Sequence, residues 1–377
     1  MSPITGRRIG VGIIGASPER GWASDAHIPA LKALADDFEI AAISTSRRAS
    51  ADEAAKKFGV ALAFDNHAEL LARPDVDVVA ITVKVPHHFE LVQAAIGAGK
   101  AVYCEWPLGN GLAEAEAMAA LARERGVYAA VGLQARASPV IAYAKQLIAD
   151  GYVGEVLSST IVADAINWGA DILDCYTYLL DRRNGASMLS IPFGHTMDAF
   201  CHTLGEFAEL SATFATRRPQ VRHVESGRWI NSDVADQIAI SGVLESGAVA
   251  SVHFRGGLSR GTNFRWEITG TDGDLVITAG GGHIQMLPLN LRGARGSETE
   301  LADLPIPAAH NPIGSLLAGN PLATSVARAY SQLRDELRGQ PRVLPGFDDA
   351  VLRHRMLDAM ALAAGSDQKQ RYRSSSG

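Results

Sequence analysis

The stretch Ile9-Gly-Val-Gly-Ile-Ile14, followed by Gly15-Ala-Ser-Pro-Glu-Arg-Gly-Trp22-Ala-Ser24, decides the fold. Its first part is apolar or glycine throughout, which predicts a strand covered on both faces. A literal G-x-G-x-x-G pattern falls at Gly10, Gly12 and Gly15, but a phosphate-binding motif should begin where its strand ends, with backbone amides and a helix N-terminus facing the phosphates. Since Gly10 and Gly12 lie inside the predicted strand, we expect the binding loop to start at Gly15.

The loop from Gly15 to Ser24 is longer than the usual turn between a strand and a helix. It supplies small residues, an arginine and a glycine just before the next helical pattern, and these features suit the pyrophosphate of a dinucleotide. An ordinary strand-to-helix turn is the alternative interpretation. On the first interpretation the predicted contacts are Gly15, Ser17, Arg20, Gly21 and Trp22.

Short apolar runs alternate with helical patterns up to residue 135. The predicted strands lie at 9–14, 39–44, 76–83, 101–104 and 128–133, and the predicted helices lie at 27–34, 50–58, 88–98 and 112–126. This alternation is typical of a parallel, doubly wound sheet. Together with the loop it predicts a dinucleotide-binding Rossmann domain over residues 1–135.

After residue 135 the pattern changes to segments that alternate apolar and polar residues. These segments lie at 156–162, 210–216, 237–244, 248–254, 265–269 and 274–278. Gly247 and the turn Thr271-Asp-Gly-Asp274 separate neighbouring segments as hairpin connections do. We predict an α/β fold in which residues 136–377 form a substrate and oligomerisation domain with an open, mostly antiparallel sheet. Late helices, at 315–339 and 347–364, are expected to pack back on the body.

Composition excludes several classes of protein. The 377 residues are 47% hydrophobic and carry a formal net charge of −6, which is typical of a globular protein without a general affinity for nucleic acid. No apolar run approaches the roughly 20 residues of a membrane span, and no secretory apolar region follows Met1. The three well-separated cysteines favour neither a disulfide framework nor a zinc cluster. We therefore expect a cytoplasmic protein with no nucleic-acid or membrane partner.

The second predicted strand ends in Ser44-Thr-Ser-Arg-Arg48, which contains no acid. An acid at this place usually binds the ribose 2′-hydroxyl of NAD, whereas arginines and hydroxyls suit the 2′-phosphate of NADP. We therefore favour NADP(H) as the cofactor, with NAD(H) as the alternative, and predict contacts from Ser46, Arg47 and Arg48. The opposing interpretation makes the two arginines solvated residues at the start of a helix.

The chain resembles the Gfo/Idh/MocA family, the group of glucose–fructose oxidoreductase and inositol dehydrogenase. The matching motifs are Val11-Gly-Ile-Ile-Gly15, His27-Ile-Pro-Ala-Leu31, Asp77-Val-Val-Ala-Ile81, His88-Phe-Glu-Leu91, Gly99-Lys-Ala-Val-Tyr-Cys-Glu105-Trp-Pro107 and Gly154-Glu-Val156. A second set resembles the branch of the fungal galactose-regulon repressor: Gly21-Trp22-Ala23, Glu105-Trp106-Pro107-Leu108, Leu133-Gln-Ala-Arg136-Ala-Ser-Pro139, Asn167-Trp168-Gly169 and Phe193-Gly-His-Thr-Met-Asp198.

The resemblance implies an N-terminal Rossmann domain and a C-terminal α/β domain with an open antiparallel sheet. In the family the outer face of that sheet usually forms a subunit interface, so a homodimer or homotetramer is implied. The nicotinamide is expected near residues 105–107. The resemblance adds these residues to the predicted cofactor contacts: Thr82, Val83, His88, Glu105, Trp106, Pro107, Gln134, Arg136 and Trp168.

Typical members of the family resemble one another in using a lysine from an E-K-P motif, an aspartate and a histidine to oxidise a hydroxyl. This chain keeps the histidine as His195, whereas Trp106 stands at the lysine position and Ile191 at the aspartate position. An indole only donates a hydrogen bond, so Trp106 cannot relay a proton. It can instead wall the nicotinamide or stack on a ring-shaped substrate. The usual proton relay is therefore incomplete here.

His195 is the candidate general base, with a predicted pKa near the working pH and a partner in Asp198 or Glu105. Tyr176 and Tyr178 lie in a polar and aromatic segment and are candidates to donate a proton or a hydrogen bond. The alternatives are a structural histidine, an aspartate that caps or orients a helix, and tyrosines that pack in the core.

Two functions are compatible with these residues. The first is an NAD(P)-dependent oxidoreductase that acts on a sugar, cyclitol or other ring alcohol or ketone, including redox-neutral chemistry with a tightly held cofactor. The second is a non-catalytic dinucleotide-binding regulator, which the replaced lysine and aspartate favour. We favour the enzyme, with a small-molecule substrate as its partner. We predict no metal site, because neither His87-His88 nor His195 with His202 has an acid or cysteine at a complementary spacing.

Overall fold

The computed structural model of the chain describes residues 3–317 and 320–373, which form two compact units. The first unit comprises the chain up to Gln134 together with residues 313–351, and the second comprises residues 135–312 together with the chain from Leu352 onward. The predicted domain division placed every residue after 135 in the second domain, whereas the structure places the segment 313–351 in the first unit.

The first unit contains a six-stranded sheet in the order β3-β2-β1-β4-β5-β6, in which every neighbouring pair is parallel. Its strands are β1 (Ile9–Ile14), β2 (Phe38–Ser44), β3 (Ala63–Phe64), β4 (Val78–Ile81), β5 (Ala101–Glu105) and β6 (Ala129–Gly132). The predicted doubly wound fold is confirmed, and β3 alone has no predicted counterpart. The strand order reverses between β1 and β4, and ligands of such sheets bind beyond the carboxyl ends of the strands at that point.

Five helices connect these strands. They are α1 (Ile28–Ala33), α2 (Arg48–Phe58), α3 (His67–Leu71), α4 (His88–Gly97) and α5 (Leu112–Arg125). A π-helical turn, Ala23–His27, precedes α1, so helical structure begins directly after Trp22. The Asn66 side chain caps α3 by accepting a hydrogen bond from the Glu69 N–H, as short polar residues at this position do.

The packing of β1 requires glycine inside the strand. A Cβ atom at Gly10 would lie 1.8 Å from the carbonyl oxygen of Asp75, and one at Gly12 would lie 2.7 Å from a side-chain carbon of Leu70. Both glycines lie within β1, which ends at Ile14. The strand therefore ends directly before Gly15, as predicted, and the assignment of a binding loop to the residues after it stays a prediction.

The second unit contains an eight-stranded sheet in the order β17-β16-β15-β14-β7-β13-β12-β9. Its strands are β7 (Val156–Ala165), β9 (Phe207–Ala215), β12 (Gln237–Leu244), β13 (Val249–Gly256), β14 (Phe264–Gly270), β15 (Gly273–Ala279), β16 (Leu289–Arg295) and β17 (Ala302–Asp303). All neighbouring pairs are antiparallel except β7 with β13. The predicted mostly antiparallel sheet is confirmed, and β16 and β17 extend it beyond the predicted segments.

The large sheet has one apolar and one polar face, as its alternating sequence predicts. Along β12, Ile238 and Ile240 are buried, whereas Ala239 and Ser241 are exposed. A smaller sheet, which the sequence analysis did not predict, consists of β8 (Asp171–Ile172), β10 (Gln220–His223) and β11 (Trp229–Asn231). Strands of this length are too short to show a periodic pattern.

Helices cover the apolar face of the large sheet. They include α6 (Pro139–Ala149) and α7 (Gly194–Leu204). Phe200 of α7 stacks on Phe207 and on Trp266 of the sheet, with ring centroids 5.6 Å and 5.7 Å apart. The burial of these rings anchors α7, which carries the predicted base His195, to a rigid sheet.

The segment that returns to the first unit contains α8 (Thr324–Leu337). Its Tyr330 stacks on Tyr103 of β5 with ring centroids 5.4 Å apart, and its Arg334 binds Asp37 at 2.7 Å. These buried aromatic contacts explain why the helix packs with the first unit. The last helix is α9 (Phe347–Ser366), and no helix in the described ranges is long and apolar enough to cross a membrane.

Candidate cofactor and active site

The loop after β1 begins at Gly15, whose backbone adopts a conformation that residues with a side chain rarely adopt. Gly15 has a φ of +103°, and a Cβ atom there would lie 2.9 Å from a Val83 methyl carbon and 3.0 Å from the Thr82 hydroxyl. The Ser24 hydroxyl donates a hydrogen bond to the Ser17 carbonyl oxygen and closes the loop. Thr82 and Val83, which were predicted as cofactor contacts, therefore lie directly beside Gly15.

The conformation of this loop suits the pyrophosphate that the sequence predicts here, and its contacts with a dinucleotide stay a prediction. A glycine with positive φ lets the backbone approach a ligand closely, and this one stands where the strand order reverses. The indole Nε1 of Trp22 is enclosed and has no hydrogen-bond partner within the described part of the chain. Arg20 is exposed, and Gly21 adopts a φ of +121° just before the helical turn at Ala23.

The two arginines after β2 differ in their surroundings. Arg48 is the first residue of α2, and its guanidinium binds Asp52 on the next turn. Arg47 and Ser46 are exposed, and the Arg47 guanidinium makes no ion pair with any residue that the structure describes. Arg48 is therefore a surface residue at the start of a helix, as the alternative interpretation has it. The charge of Arg47 is not paired with a described residue and is available for a phosphate.

A buried hydrogen-bonded network surrounds Glu105 at the end of β5. One carboxylate oxygen of Glu105 lies 2.9 Å from His27 Nε2, and the other accepts a hydrogen bond from Gln134 Nε2 at 2.9 Å. The Tyr330 hydroxyl lies 2.8 Å from His27 Nδ1. An ionised carboxylate only accepts, so His27 donates from Nε2 and accepts the Tyr330 hydrogen bond at Nδ1. Both oxygens of Glu105 are thus held within the first unit, which corrects its predicted role as the partner of His195.

His88 fixes the turn that follows Glu105. Trp106 is buried, and the peptide bond between Trp106 and Pro107 is cis. His88 Nδ1 lies 2.9 Å from the Pro107 carbonyl oxygen, and its Nε2 lies 3.0 Å from the Val83 carbonyl oxygen. Burial lowers the pKa of His88, and the carbonyl oxygens that face both of its ring nitrogens act in the opposite direction. His88 therefore ties the segment after β4 to the turn after β5.

In the second unit α7 carries His195 and Asp198 one turn apart. Asp198 is fully buried, and its two oxygens accept hydrogen bonds from the Arg136 guanidinium at 2.7 Å and 2.6 Å. Arg353 Nε lies 3.8 Å from the same carboxylate. The predicted pairing of Asp198 with His195 is therefore wrong, because the buried carboxylate is taken up by two cations. Asp198 and Arg136 hold each other in place.

His195 is neutral. Burial, together with the nearby His283, lowers the pKa of His195 to about 3. Burial also lowers the pKa of His283 to about 4. The predicted pKa near the working pH is wrong, because the desolvated ring lacks a carboxylate that would stabilise its protonated form among the described residues. A neutral imidazole offers one N–H and one lone pair to a ligand.

His283 was not among the predicted site residues; one contact fixes its ring, and a hydrogen bond joins its chain neighbour Gly282 to α7. The His283 ring stacks on the Trp168 indole, with centroids 6.3 Å apart and an interplanar angle of 15°. The Thr196 hydroxyl donates to the Gly282 carbonyl oxygen at 3.3 Å, which joins the chain neighbours of His195 and His283. The available signal in the sequence is the run of three glycines directly before His283, which permits a close approach of the backbone.

The aromatic residues predicted for the second unit have different environments. Trp168 is buried, has a φ of +63°, and donates from Nε1 to the Leu179 carbonyl oxygen at 3.1 Å. Tyr176 and Tyr178 lie in the 3-10 segment Asp174–Leu180. Tyr176 is exposed, whereas burial raises the pKa of Tyr178 to about 12, so Tyr178 stays protonated.

Metal-binding groups are not assembled in the described ranges: no three histidine, cysteine, aspartate or glutamate side chains there are grouped as a metal site requires. The three cysteines are free thiols. Burial raises the pKa of Cys201 to about 12, which makes that thiol unreactive.

Two family models match the chain. The model described as "Oxidoreductase family, NAD-binding Rossmann fold" matches residues 9–133, and the model described as "Gal80p, C-terminal domain" matches residues 139–279. The dehydrogenase aclE of Aspergillus oryzae is 31% identical over 384 residues, which cover 97% of this chain and 99% of that relative. The galactose/lactose metabolism regulatory protein GAL80 of Saccharomyces cerevisiae is 27% identical over 399 residues, which cover 93% and 92%.

Solved structures show the same fold. A super-repressor mutant of Gal80p from Saccharomyces cerevisiae superposes with a TM-score of 0.87 at 23% identity, covering 97% of this chain and 98% of that one. A levoglucosan dehydrogenase in complex with NADH and levoglucosan superposes with a TM-score of 0.82 at 24% identity, covering 96% and 99%. At these identities the likeness concerns the fold alone.

Proposed function

The chain belongs to the Gfo/Idh/MocA oxidoreductase family, and from that premise we propose that it is an NAD(P)-dependent oxidoreductase that acts on a sugar, cyclitol or other ring alcohol or ketone. The observation that carries the proposal is the neutral His195 on α7, whose enclosed Nδ1 has no hydrogen-bond partner among the described residues. Native proteins seldom leave a buried polar group unpaired without a functional reason. The dehydrogenases among the relatives support an alcohol as the reactant.

The first unit supplies the cofactor contacts in this proposal. Gly15 and the loop up to Trp22 would hold the pyrophosphate, and Arg47 would bind a 2′-phosphate, which favours NADP(H) over NAD(H). When bound, the nicotinamide supplies the chemistry of hydride transfer. The network around Glu105 orients the turn of residues 105–107, and Trp106 would border the nicotinamide as an apolar wall.

The cofactor preference can be tested at Arg47. Arg47→Ala should weaken NADP(H) binding about tenfold, because one charge-assisted contact is lost, and should leave NAD(H) binding unchanged. Titration calorimetry with both dinucleotides measures this, and Arg48→Ala is the matched control, since Arg48 is paired with Asp52. Tighter binding of NAD(H), unaffected by Arg47→Ala, would refute the NADP preference and leave the oxidoreductase proposal intact.

In this proposal His195 of the second unit contacts the hydroxyl group of the alcohol. The neutral His195 ring can accept a hydrogen bond from the hydroxyl group of an alcohol and hold that group in place. Because burial lowers its pKa to about 3, the ring does not keep a proton, so the hydroxyl proton would pass to water at this contact while a bound NAD(P)⁺ would take the hydrogen of the carbinol carbon as hydride. Asp198 acts as a positioning residue, because its bonds to Arg136 and Arg353 hold the helix on which His195 stands.

The experiment for this function follows nicotinamide absorbance with a panel of neutral ring alcohols and ketones. We expect a change with at least one member, and His195→Asn should lower kcat by about 10²–10⁴-fold. His202→Asn, on the same helix and in contact with Lys145 at 3.1 Å, is the control that should keep its activity. Bound dinucleotide without any absorbance change across the panel would sink the enzyme proposal.

A second candidate is a non-catalytic NAD(P)-binding regulator. The apolar Trp106 and Ile191, at the positions of the lysine and aspartate of typical relatives, favour it, and a regulatory protein is among the relatives. The two candidates differ in one measurement, because a regulator binds the dinucleotide without turnover.

We also propose a homodimer or homotetramer formed through the polar face of the large sheet. Ser211, Ser241, Ser251 and Thr160 are paired in register across four neighbouring strands and make an uncharged row. Ser241→Arg places a charge in that row and should lower the mass measured by light scattering to that of a smaller assembly. Glu53→Arg, on the exposed side of α2, is the control. A single-chain mass for the unaltered protein would refute the proposed assembly.

A further inference from the structure

We propose that Arg328 and Ser325, two residues of α8 in the first unit, form a binding site for a phosphate group. No sequence motif indicated either residue, and the proposed function uses neither. The inference goes beyond the oxidoreductase proposal and does not rest on it, because it starts from a cation that the described part of the chain leaves without a counter-charge.

The Arg328 guanidinium has unused hydrogen-bonding capacity. Its Nε and Nη1 atoms are enclosed, and neither has a hydrogen-bond partner among the described residues. Nη2 likewise binds no described residue, but it is not one of the enclosed atoms, so a ligand can reach this edge of the guanidinium. Buried polar groups are paired in the great majority of cases, and buried charges in particular are paired. The guanidinium therefore indicates a partner that the fold itself does not supply.

No acid in the described ranges neutralises Arg328. The first turn of α8 contains no acidic side chain. The two acids in its last turn are engaged elsewhere, because Asp335 binds Arg334 at 2.8 Å and Glu336 accepts hydrogen bonds from two backbone N–H groups at 2.6 Å. Burial lowers the pKa of Arg328, and no charged group among the described residues acts against burial. An anionic ligand would supply the missing counter-charge.

The neighbours of Arg328 on α8 are uncharged and polar. Residues three or four apart lie on one face of a helix, so Arg328 is flanked by Thr324, Ser325 and Gln332. Ser325 is only 8% exposed, yet its hydroxyl is not among the enclosed atoms and has no partner within the described ranges. A hydroxyl group can donate to an anion, so the Ser325 hydroxyl and Arg328 Nη2 offer two donors on the same face.

The chemistry of these donors selects a phosphate group. A guanidinium is planar, permanently charged and weakly hydrated, which suits it to phosphate oxygens. A phosphate carries several acceptor oxygens that point in different directions. One phosphate group can therefore accept hydrogen bonds from both Arg328 Nη2 and the Ser325 hydroxyl.

A free phosphate or a phosphate of the cofactor can supply this group. Two residues correspond to about 200° around a helix, so Arg328 points away from Tyr330, whose ring stacks on Tyr103 of β5. This direction separates the site from the packing of α8 on the sheet. The chain just before α8 is bonded to the turn that follows the predicted pyrophosphate loop, since Asn320 Nδ2 donates to the Asp25 carbonyl oxygen at 3.1 Å. Both sources share the same chemistry.

The test is calorimetric titration of the full chain, dialysed into a buffer without phosphate. The probes are inorganic phosphate, NAD(H) and NADP(H), and sodium chloride at the same ionic strength is the blank. We expect at least one probe that carries phosphate to bind. Arg328→Met, which keeps the length of the side chain but not its charge, should weaken that probe at least about tenfold. Ser325→Ala, which removes one donor, should weaken it by about two- to fivefold.

Two further variants serve as controls. Arg338→Met removes a guanidinium directly after α8 that is already paired with Asp37 at 2.8 Å, and it should keep the affinity of the unaltered protein. Arg328→Lys keeps the charge without the planar fork and should retain part of the affinity. It also replaces Arg328→Met in the comparison if that variant does not fold, which melting curves show.

The outcomes identify the occupant or remove the site. Binding of inorganic phosphate that Arg328→Met abolishes identifies a free anion. Equal weakening of NAD(H) and NADP(H) by Arg328→Met, without heat from inorganic phosphate, identifies a phosphate of the cofactor. Affinities for every probe that are the same in Arg328→Met, Arg328→Lys and the unaltered protein overturn the site. None of these outcomes involves turnover, so the oxidoreductase proposal is judged separately by nicotinamide absorbance.

Discussion

Each unit contains a buried cluster of polar side chains with histidine, and the two clusters differ in whether the ring nitrogens have hydrogen-bond partners. In the first unit both ring nitrogens of His27 are engaged, one with the Tyr330 hydroxyl at 2.8 Å and the other with the Glu105 carboxylate at 2.9 Å. In the second unit the Nδ1 atoms of His195 and His283 are buried, and neither has a hydrogen-bond partner among the described residues.

The difference distinguishes a histidine that stabilises the fold from histidines whose ring nitrogens are not used by the fold. A hydrogen-bonded network in a low-dielectric interior stabilises the fold, and its donors and acceptors are no longer available to a ligand. Unpaired imidazoles lower stability, and such residues persist where function uses them. His27 therefore serves to hold Glu105 and the turn after it, whereas His195 and His283 each keep a buried ring nitrogen without a partner among the described residues, which for His195 is the observation behind the proposed function.

The largest effect that this comparison predicts is on His27. His27→Phe should lower the free energy of unfolding of the first unit by about 3 kcal/mol, because it leaves a buried carboxylate oxygen and the Tyr330 hydroxyl unpaired. Urea unfolding followed by circular dichroism measures the change. His87→Phe, at an exposed position, should alter the same quantity by no more than about 0.5 kcal/mol. Equal curves for both variants would mean that the network contributes nothing.

The fold was largely predictable because its determinants are local. The apolar strand Ile9–Ile14 was predicted with its observed ends, and the alternation along Gln237–Leu244 placed that strand in an antiparallel sheet. The return of α8 to the first unit could not be predicted, since the helical pattern of Thr324–Leu337 does not reveal which surface its apolar face covers. The contact of Tyr330 with Tyr103 joins residues far apart in the sequence, so no local pattern indicates it.

The site was predictable only where a motif carried it. Position in a motif indicated His195, but its predicted pairing with Asp198 was wrong, because the sequence does not show that Arg136 takes the carboxylate. The pKa of His195 depends on burial, which the sequence does not state. His283 lies far along the chain from His195, and a single histidine after glycines has no distinctive pattern.

The second prediction concerns pH. The pKa values of His195 and His283 are about 3 and about 4 in the folded chain and about 6.5 when unfolded, so between these values the unfolded state binds more protons. Stability from this source is complete above pH 6.5 or so and is lost as the pH falls towards about 4. Urea unfolding between pH about 7 and about 5 should show it, and His195→Phe should reduce the slope by up to about 1.4 kcal/mol per pH unit.

The control for the pH series is His87→Phe, which should keep the slope of the unaltered protein because His87 is exposed. If His195→Phe left the slope of unfolding free energy against pH unchanged, the pKa of His195 would be the same in the folded and the unfolded chain. Burial would then not keep the His195 ring neutral.

The smallest effect is expected at His283. His283→Phe should leave the free energy of unfolding unchanged or raise it by up to about 1 kcal/mol, because it removes unpaired ring nitrogens while an aromatic ring still packs on Trp168. The same urea series measures it. Since His27→Phe and His283→Phe exchange the same side chains, the transfer of histidine and phenylalanine from water cancels between them. The remaining difference reports the hydrogen bonds and the ring packing of each site, and a loss at His283 as large as that at His27 would mean that both histidines serve the fold.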